Sequence, residues 1–273
     1  MDNHNVVSRS LTIRVSEKCV LQDVHYFIES NNDTVKFLPE SILEDVLKEA
    51  SFMGIEEINL EGDDVFSLNE IIHIIEEYSP KFNYFYINVP FLTFDSEVLE
   101  TMALHTNVIV RINTGKTEDD LYRMWNNINT FKKVITSIKS LTDKKIKVII
   151  DFVLSRDNHC NFEKLLRIMY DLGVSGVEYS FLSEDGRRNI PVKNMDIIRL
   201  CQRYETSRFY IRGNEDFCRK FNKLEVDANG KVLYDSGLRE KIIMGNVLDK
   251  SLLDIMDSYE SRMFAIYEEN ICE

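Results

Sequence analysis

Six short apolar strand patterns alternate with five helical patterns between Leu11 and Phe181. This rhythm restricts the fold more than any other feature, because strands spaced by single helices must run parallel through right-handed crossovers. Leu11 to Val15 (LTIRV) alternates apolar and polar residues, and Glu57 to Leu60, Tyr84 to Val89 and Val108 to Ile112 read as further strands. Lys147 to Leu154 (KVIIDFVL) is almost continuously apolar, as a strand covered on both faces must be. Gly176 to Phe181 completes the set. Helices are predicted over Ser41 to Met53, Leu68 to Tyr78, Ser96 to Leu104, Asp119 to Leu141 and Phe162 to Leu172. Pro39 precedes the first of these and Gly54 follows it, and Gly173 follows the last, the usual order of start and stop residues. The pattern fits an open or partial barrel and a doubly wound sheet equally. In both, a ligand site belongs at the carboxyl ends of the strands.

The rhythm stops after Ser183. A polar connection, EDGRRNIPVKN, leads to a helix over Met195 to Tyr204. Lys223 to Val226 and Lys231 to Tyr234 then flank Asp227-Ala-Asn-Gly230, a hairpin signal, and a last helix is predicted over Ser251 to Tyr259. The expected division is a βα region over 1–190 and a small α+β region over 191–273.

The chain has 273 residues, 44% of them hydrophobic, which is enough for a large core. A net charge of −13 argues against nucleic-acid or anionic-membrane binding and suits a soluble protein with a basic peptide or protein partner. No apolar run reaches the ~20 residues that span a bilayer. Met1 to Ser10 is polar and has no signal-peptide core, so a cytoplasmic location is expected. Five cysteines stand at 19, 160, 201, 218 and 272 without a C-x-x-C pair, so neither a disulfide framework nor a zinc ribbon is indicated.

The segment Ser10 to Phe27, SLTIRVSEKCVLQDVHYF, resembles the opening of radical S-adenosylmethionine (radical SAM) enzymes. There an apolar strand, a hydroxyl and a base precede C-x3-C-x2-C and an aromatic residue. Ser16, Lys18, Cys19 and Phe27 match, while Asp23 and Tyr26 stand at the second and third cysteine positions. In the family three thiolates bind three irons of a 4Fe-4S cluster, and the fourth iron takes S-adenosylmethionine. After GIEEINL, itself typical of the family, Glu61-Gly62-Asp63-Asp64 occupies the Gly-Gly-Glu-Pro-like motif that receives the amino group of S-adenosylmethionine. VIVRINTG, VLSRDN and LGVSGVEYSFLSEDGRR resemble the fourth, fifth and sixth strands, and Arg123 falls where a helix arginine is often found. Arg111, Asn113 and Asn158 are thereby candidates to line a pocket at the strand ends. In the tail, Cys218, LEVDANGKVLYD and MGNVLDKSLLDIMDS resemble a SPASM domain, with Cys218, Gly245 and Asn246 kept and Asp235 at a cysteine position.

The resemblance implies a partial (β/α)6 TIM-like barrel with a small SPASM-like extension. Asp and Tyr are hard oxygen ligands where the cluster needs soft thiolates, so no cofactor, metal or catalytic residue is expected. The implied protein is a pseudoenzyme that binds or scaffolds in the modification of a ribosomally made peptide, beside an active radical SAM maturase, a precursor peptide or both. The alternative is an enzyme with atypical cluster ligation or non-radical chemistry, holding a 4Fe-4S cluster and S-adenosylmethionine. Each position also has a plainer reading: Cys19 as a small buried apolar residue, the acidic run at 61–64 as a solvated turn, and Asp23, His25 and Tyr26 as ordinary surface groups.

Overall fold

The computed structural model describes residues 9–16, 37–62, 65–89, 94–113, 128–154, 161–181, 194–213, 223–235 and 241–259. The chain divides into two compact units. One combines Met1–Lys18, Thr34–Phe85 and Cys218–Glu273, and the other combines Cys19–Asp33 with Tyr86–Phe217.

In the first unit, β1 (Ser10–Arg14) pairs in parallel with β2 (Glu57–Glu61). On its other side β1 pairs, again in parallel, with β8 (Lys223–Val226). An antiparallel run continues from β8 to β9 (Lys231–Asp235) and β10 (Ile242–Asn246). Leu11, Ile13, Ile58 and Leu60 are fully buried, while the residues between them are half-exposed. The strands therefore present one apolar and one polar face. Helix α1 (Glu40–Phe52) supplies Leu43, Val46, Leu47 and Ala50 to the core at helical spacing. It ends at Gly54, whose φ of 76° suits the left-handed position that closes a helix. Helix α2 (Ile71–Tyr78) follows a single 3-10 turn at Val65–Ser67, so the helix expected from Leu68 starts three residues later. The last helix, α7 (252–259), buries Leu252, Ile255 and Met256. Its first turn receives Glu49 of α1, whose Oε2 accepts the backbone N–H of Leu253 at 3.1 Å.

Strand β3 (Tyr84–Val89) starts in the first unit and ends in the second. The second unit contains α3 (Ser96–Leu104), β4 (Val108–Asn113), α4 (Ile128–Asp143), β5 (Lys147–Leu154), α5 (Phe162–Asp171), β6 (Gly176–Phe181), α6 (Asn194–Tyr204) and β7 (Tyr210–Gly213). The order β4-β5-β6-β7 is parallel throughout. Val110, Ile112, Val148, Ile150 and Val177 fill its apolar face, and Phe162 stacks on Phe152 at 5.6 Å. Among the described residues, no helix is long and apolar enough to cross a membrane.

Candidate functional site

The polar sheet face of each unit carries a central arginine held by carboxylates from two neighbouring strands. In the first unit the arginine is Arg14, the last residue of β1. Strand alternation places Ser10, Thr12 and Arg14 on one face, in register with Glu57, Asn59 and Glu61 of β2. Asn59 donates to Ser10 Oγ at 3.1 Å. The Arg14 guanidinium lies 3.6 Å from Glu61 and 3.2 Å from Glu225 on β8. Lys241 also donates to Glu225. Arg14 and Glu225 keep only 19% and 12% of their side-chain surface in water. A lone charge there would be costly, so the pairing is what permits both.

In the second unit the arginine is Arg111 on β4. Residue parity brings it to the same face as Asp151 of β5, Glu178 of β6 and Tyr210 of β7. Its Nη2 is 3.3 Å from Glu178, and its Nε is 3.9 Å from Asp151. The latter distance allows Coulomb attraction but no hydrogen bond, and Nε is buried without a hydrogen-bond partner. The guanidinium also lies over the Tyr86 ring at 4.6 Å. Tyr210 donates its hydroxyl to Glu178 at 3.4 Å. That reach depends on Gly176, because a Cβ there would stand 2.4 Å from the Tyr210 ring. Burial alone would pull the Arg111 guanidinium down, but Asp151 and Glu178 more than offset it and hold it above its ordinary value. Burial, reinforced by the Glu178 carboxylate, pushes the Tyr210 phenol well above its usual range. Tyr210 therefore stays a neutral donor at physiological pH.

The sequence candidates are distributed as follows. Glu61 ends β2 and is engaged by Arg14. Gly62 has a φ of 156°, and a Cβ there would lie 2.9 Å from Val15 Cγ2 and 3.3 Å from Ser16 Oγ. Close packing against the end of β1 accounts for this glycine without any ligand. Arg111 lies on β4, and Asn113 at the end of that strand is in register with Asp151. Cys19, Asp23, Tyr26, Asp63, Asp64, Asn158 and Cys218 lie outside the described residues.

In the tail, Asp235 ends β9 in register with Lys223. Asn246 is a staple. Its Nδ2 donates to Asn229 O at 3.1 Å, and its Oδ1 accepts the Leu248 N–H at 2.8 Å. The Val247 N–H reaches Gly230 O at 2.7 Å, which ties the same turn down. A Cβ on Gly245 would meet Ile255 Cγ1 at 2.9 Å, so glycine lets α7 close on β10. The retained Gly-Asn pair thus has structural work of its own.

Sequence reasoning did not single out Arg14, Asp151, Glu178, Tyr210 or Glu225. A usable signal was present for part of the set: Arg111, Asp151 and Glu178 each interrupt an otherwise apolar strand, and such a charge demands an opposite partner on another strand. Cys201 on α6 is buried, and burial pushes its thiol up, which fits an inert packing role. Among the described residues, no group of three or more His, Cys, Asp or Glu side chains is placed to hold a metal ion. Chemically, the two arginine-centred networks fix charges in place and supply neither a thiolate nor a nucleophile paired with a base.

No protein-family model and no curated protein matches this chain. Solved structures do. The crystal structure of Streptococcus suis SuiB bound to precursor peptide SuiA matches with a TM-score of 0.67 at 14% identity, over 90% of this chain and 64% of that one. SuiB bound to S-adenosylmethionine gives 0.66 at 17% identity, again covering 90% and 64%. Native anSMEcpe with bound AdoMet gives 0.64 at 13% identity, covering 90% and 79%. The fold is a mixed α/β one, the partial (β/α)6 TIM-like barrel expected from the sequence, with a small α+β extension. At these identities the likeness carries the fold alone, and this chain spans a little less than two thirds of the SuiB chain's length.

Proposed function

We propose that this chain is a radical SAM-like pseudoenzyme that binds or scaffolds during the modification of a ribosomally made peptide, its partner being a precursor peptide or an active maturase. The donor set carries the reading. By the sequence resemblance, Cys19, Asp23 and Tyr26 occupy the positions of three cluster thiolates, and one soft ligand with two hard oxygens does not fit a 4Fe-4S cluster in the usual manner. The Arg14–Glu61 pair supports the same reading, because the side chain at the first position of the S-adenosylmethionine motif is already occupied by a cation of the chain itself. Structures of this fold with a precursor peptide or a Cp18Cys peptide bound support a peptide as the partner.

The test is anaerobic purification, reconstitution with iron and sulfide, and measurement of iron, visible absorption and S-adenosylmethionine cleavage. The expected result is substoichiometric iron without cleavage. A full cluster signal with cleavage would establish the alternative, an enzyme with atypical ligation. For the partner, co-purification should recover a radical SAM protein or a precursor peptide. Recovery of neither counts against the scaffold.

A further inference from the structure

We propose that the outer face of α4 and the turn after it form a docking strip for an acidic peptide segment of a protein partner. Residues 128–147 carry Lys132, Lys133, Lys139, Lys144, Lys145 and Lys147 against a single acidic residue, Asp143, in a chain of net charge −13. All six lysines are exposed. Val134, Ile138 and Leu141 on the opposite side of the helix are buried, so the core fixes which face points outward. Helical spacing places Lys132, Thr136 and Lys139 on one stripe, with Lys133 and Lys144 beside it. Among the described residues, Asp143 lies within the strip, and Glu100 of α3 lies 3.5 Å from Lys144 in an exposed pair. Among the described residues, the other five lysines have no carboxylate within ion-pair distance. Lysines held this close repel one another, and an anionic partner relieves that repulsion.

Charge complementarity and dimensions identify the occupant. Helix α4 has 16 residues. At 1.5 Å per residue its face is roughly 24 Å long, which an extended peptide of about seven residues would span. Screening over ~8 Å at physiological salt confines the strip's attraction to its own surroundings. A short acidic segment can therefore use the strip without meeting the acidic remainder of the chain. A nucleic-acid duplex or an anionic membrane is larger and would meet that remainder. Among the side chains described in the strip, none is both large and apolar and exposed to enter a bilayer. The proposal concerns a surface outside the strand-end site and holds whether or not the chain binds S-adenosylmethionine.

The experiment is fluorescence anisotropy with a labelled glutamate-rich dodecapeptide, using the full chain at low and physiological salt. Binding should be saturable and weaken with salt. The triple variant Lys132→Glu, Lys133→Glu, Lys139→Glu should lose affinity by at least about tenfold. A control triple with the same net charge, Lys48→Glu, Lys164→Glu, Lys250→Glu, should stay within about twofold of the parent, because those lysines lie elsewhere. Should charge reversal disturb folding, the same three strip lysines changed to Gln should still weaken binding several-fold. The proposal is overturned by an absence of saturable binding, by equal losses in the two triples, or by tighter binding of a twelve-base-pair DNA duplex or of phosphatidylserine vesicles at matched salt.

Discussion

Replacing Arg111 with Met keeps most of the apolar volume of the side chain but takes from Glu178 its cation and from Asp151 the attraction of a nearby one. Glu178 would retain only the 3.4 Å hydrogen bond from Tyr210, and its side chain is 10% exposed. Asp151, at 33%, can still draw on water. Breaking one side of a fully buried ion pair costs ~3–5 kcal/mol. Partial hydration of Asp151 lowers that figure, so we expect a loss of about 3 kcal/mol at pH 7, most of it from Glu178. Urea unfolding of parent and variant at pH 7.5, followed by circular dichroism, reads the loss. The double variant Arg111→Met, Glu178→Gln should recover at least about 1 kcal/mol of the loss. A deficit below about 1 kcal/mol at pH 7.5 would refute the argument. So would a double variant no more stable than Arg111→Met alone.

Three further outcomes are expected. Asn246→Ala removes the Asn229 and Leu248 contacts together and should cost about 1–2 kcal/mol, read as a lower urea midpoint. Tyr210 has a raised folded-state pKa, so its contribution is complete below the unfolded value of ~10 and fades as pH climbs above it. Tyr210→Phe should therefore flatten the decline in stability between pH 9.5 and 11, measured by denaturant titration at each pH. Glu49→Ala leaves the Leu253 N–H without its acceptor and should lower stability by about 1 kcal/mol, with faster amide exchange in the first turn of α7.

The regular elements were legible because their burial is periodic. Tyr84–Val89, Ser96–Leu104 and Lys147–Leu154 lie where alternation or helical spacing places them. Two strands escaped the pattern. β7 has four residues and alternates too briefly to be seen. β10 is a sheet-edge strand with Ile242 and Ile243 exposed, so its apolar residues mark no buried face. The parallel pairing of β8 with β1 was also hidden, since nothing local to Lys223–Val226 names a partner more than two hundred residues away. At the candidate site, Arg111 was legible as a charge in an apolar strand. Its partners were not, because joining Arg111 to Asp151 and Glu178 requires the register of three strands. The Glu61 to Asp64 run was legible only through family resemblance. The structural reason for Gly62, its closeness to Val15, depends on β1 and β2 lying side by side.

The placement of β8 beside β1 also governs the order of events at the ribosome. Leu11 pairs with Leu224, and Glu49 meets Leu253 across a sequence separation of 204 residues, so the first unit is sealed by residues made long after its opening strand. Contacts of such sequence separation form slowly, because long loops must close before they are rewarded. The stretch from Tyr86 to Phe217 can fold while β1 still waits for its neighbour. Until β8 emerges, the exposed edge of β1 is the segment of the nascent chain most in need of a chaperone.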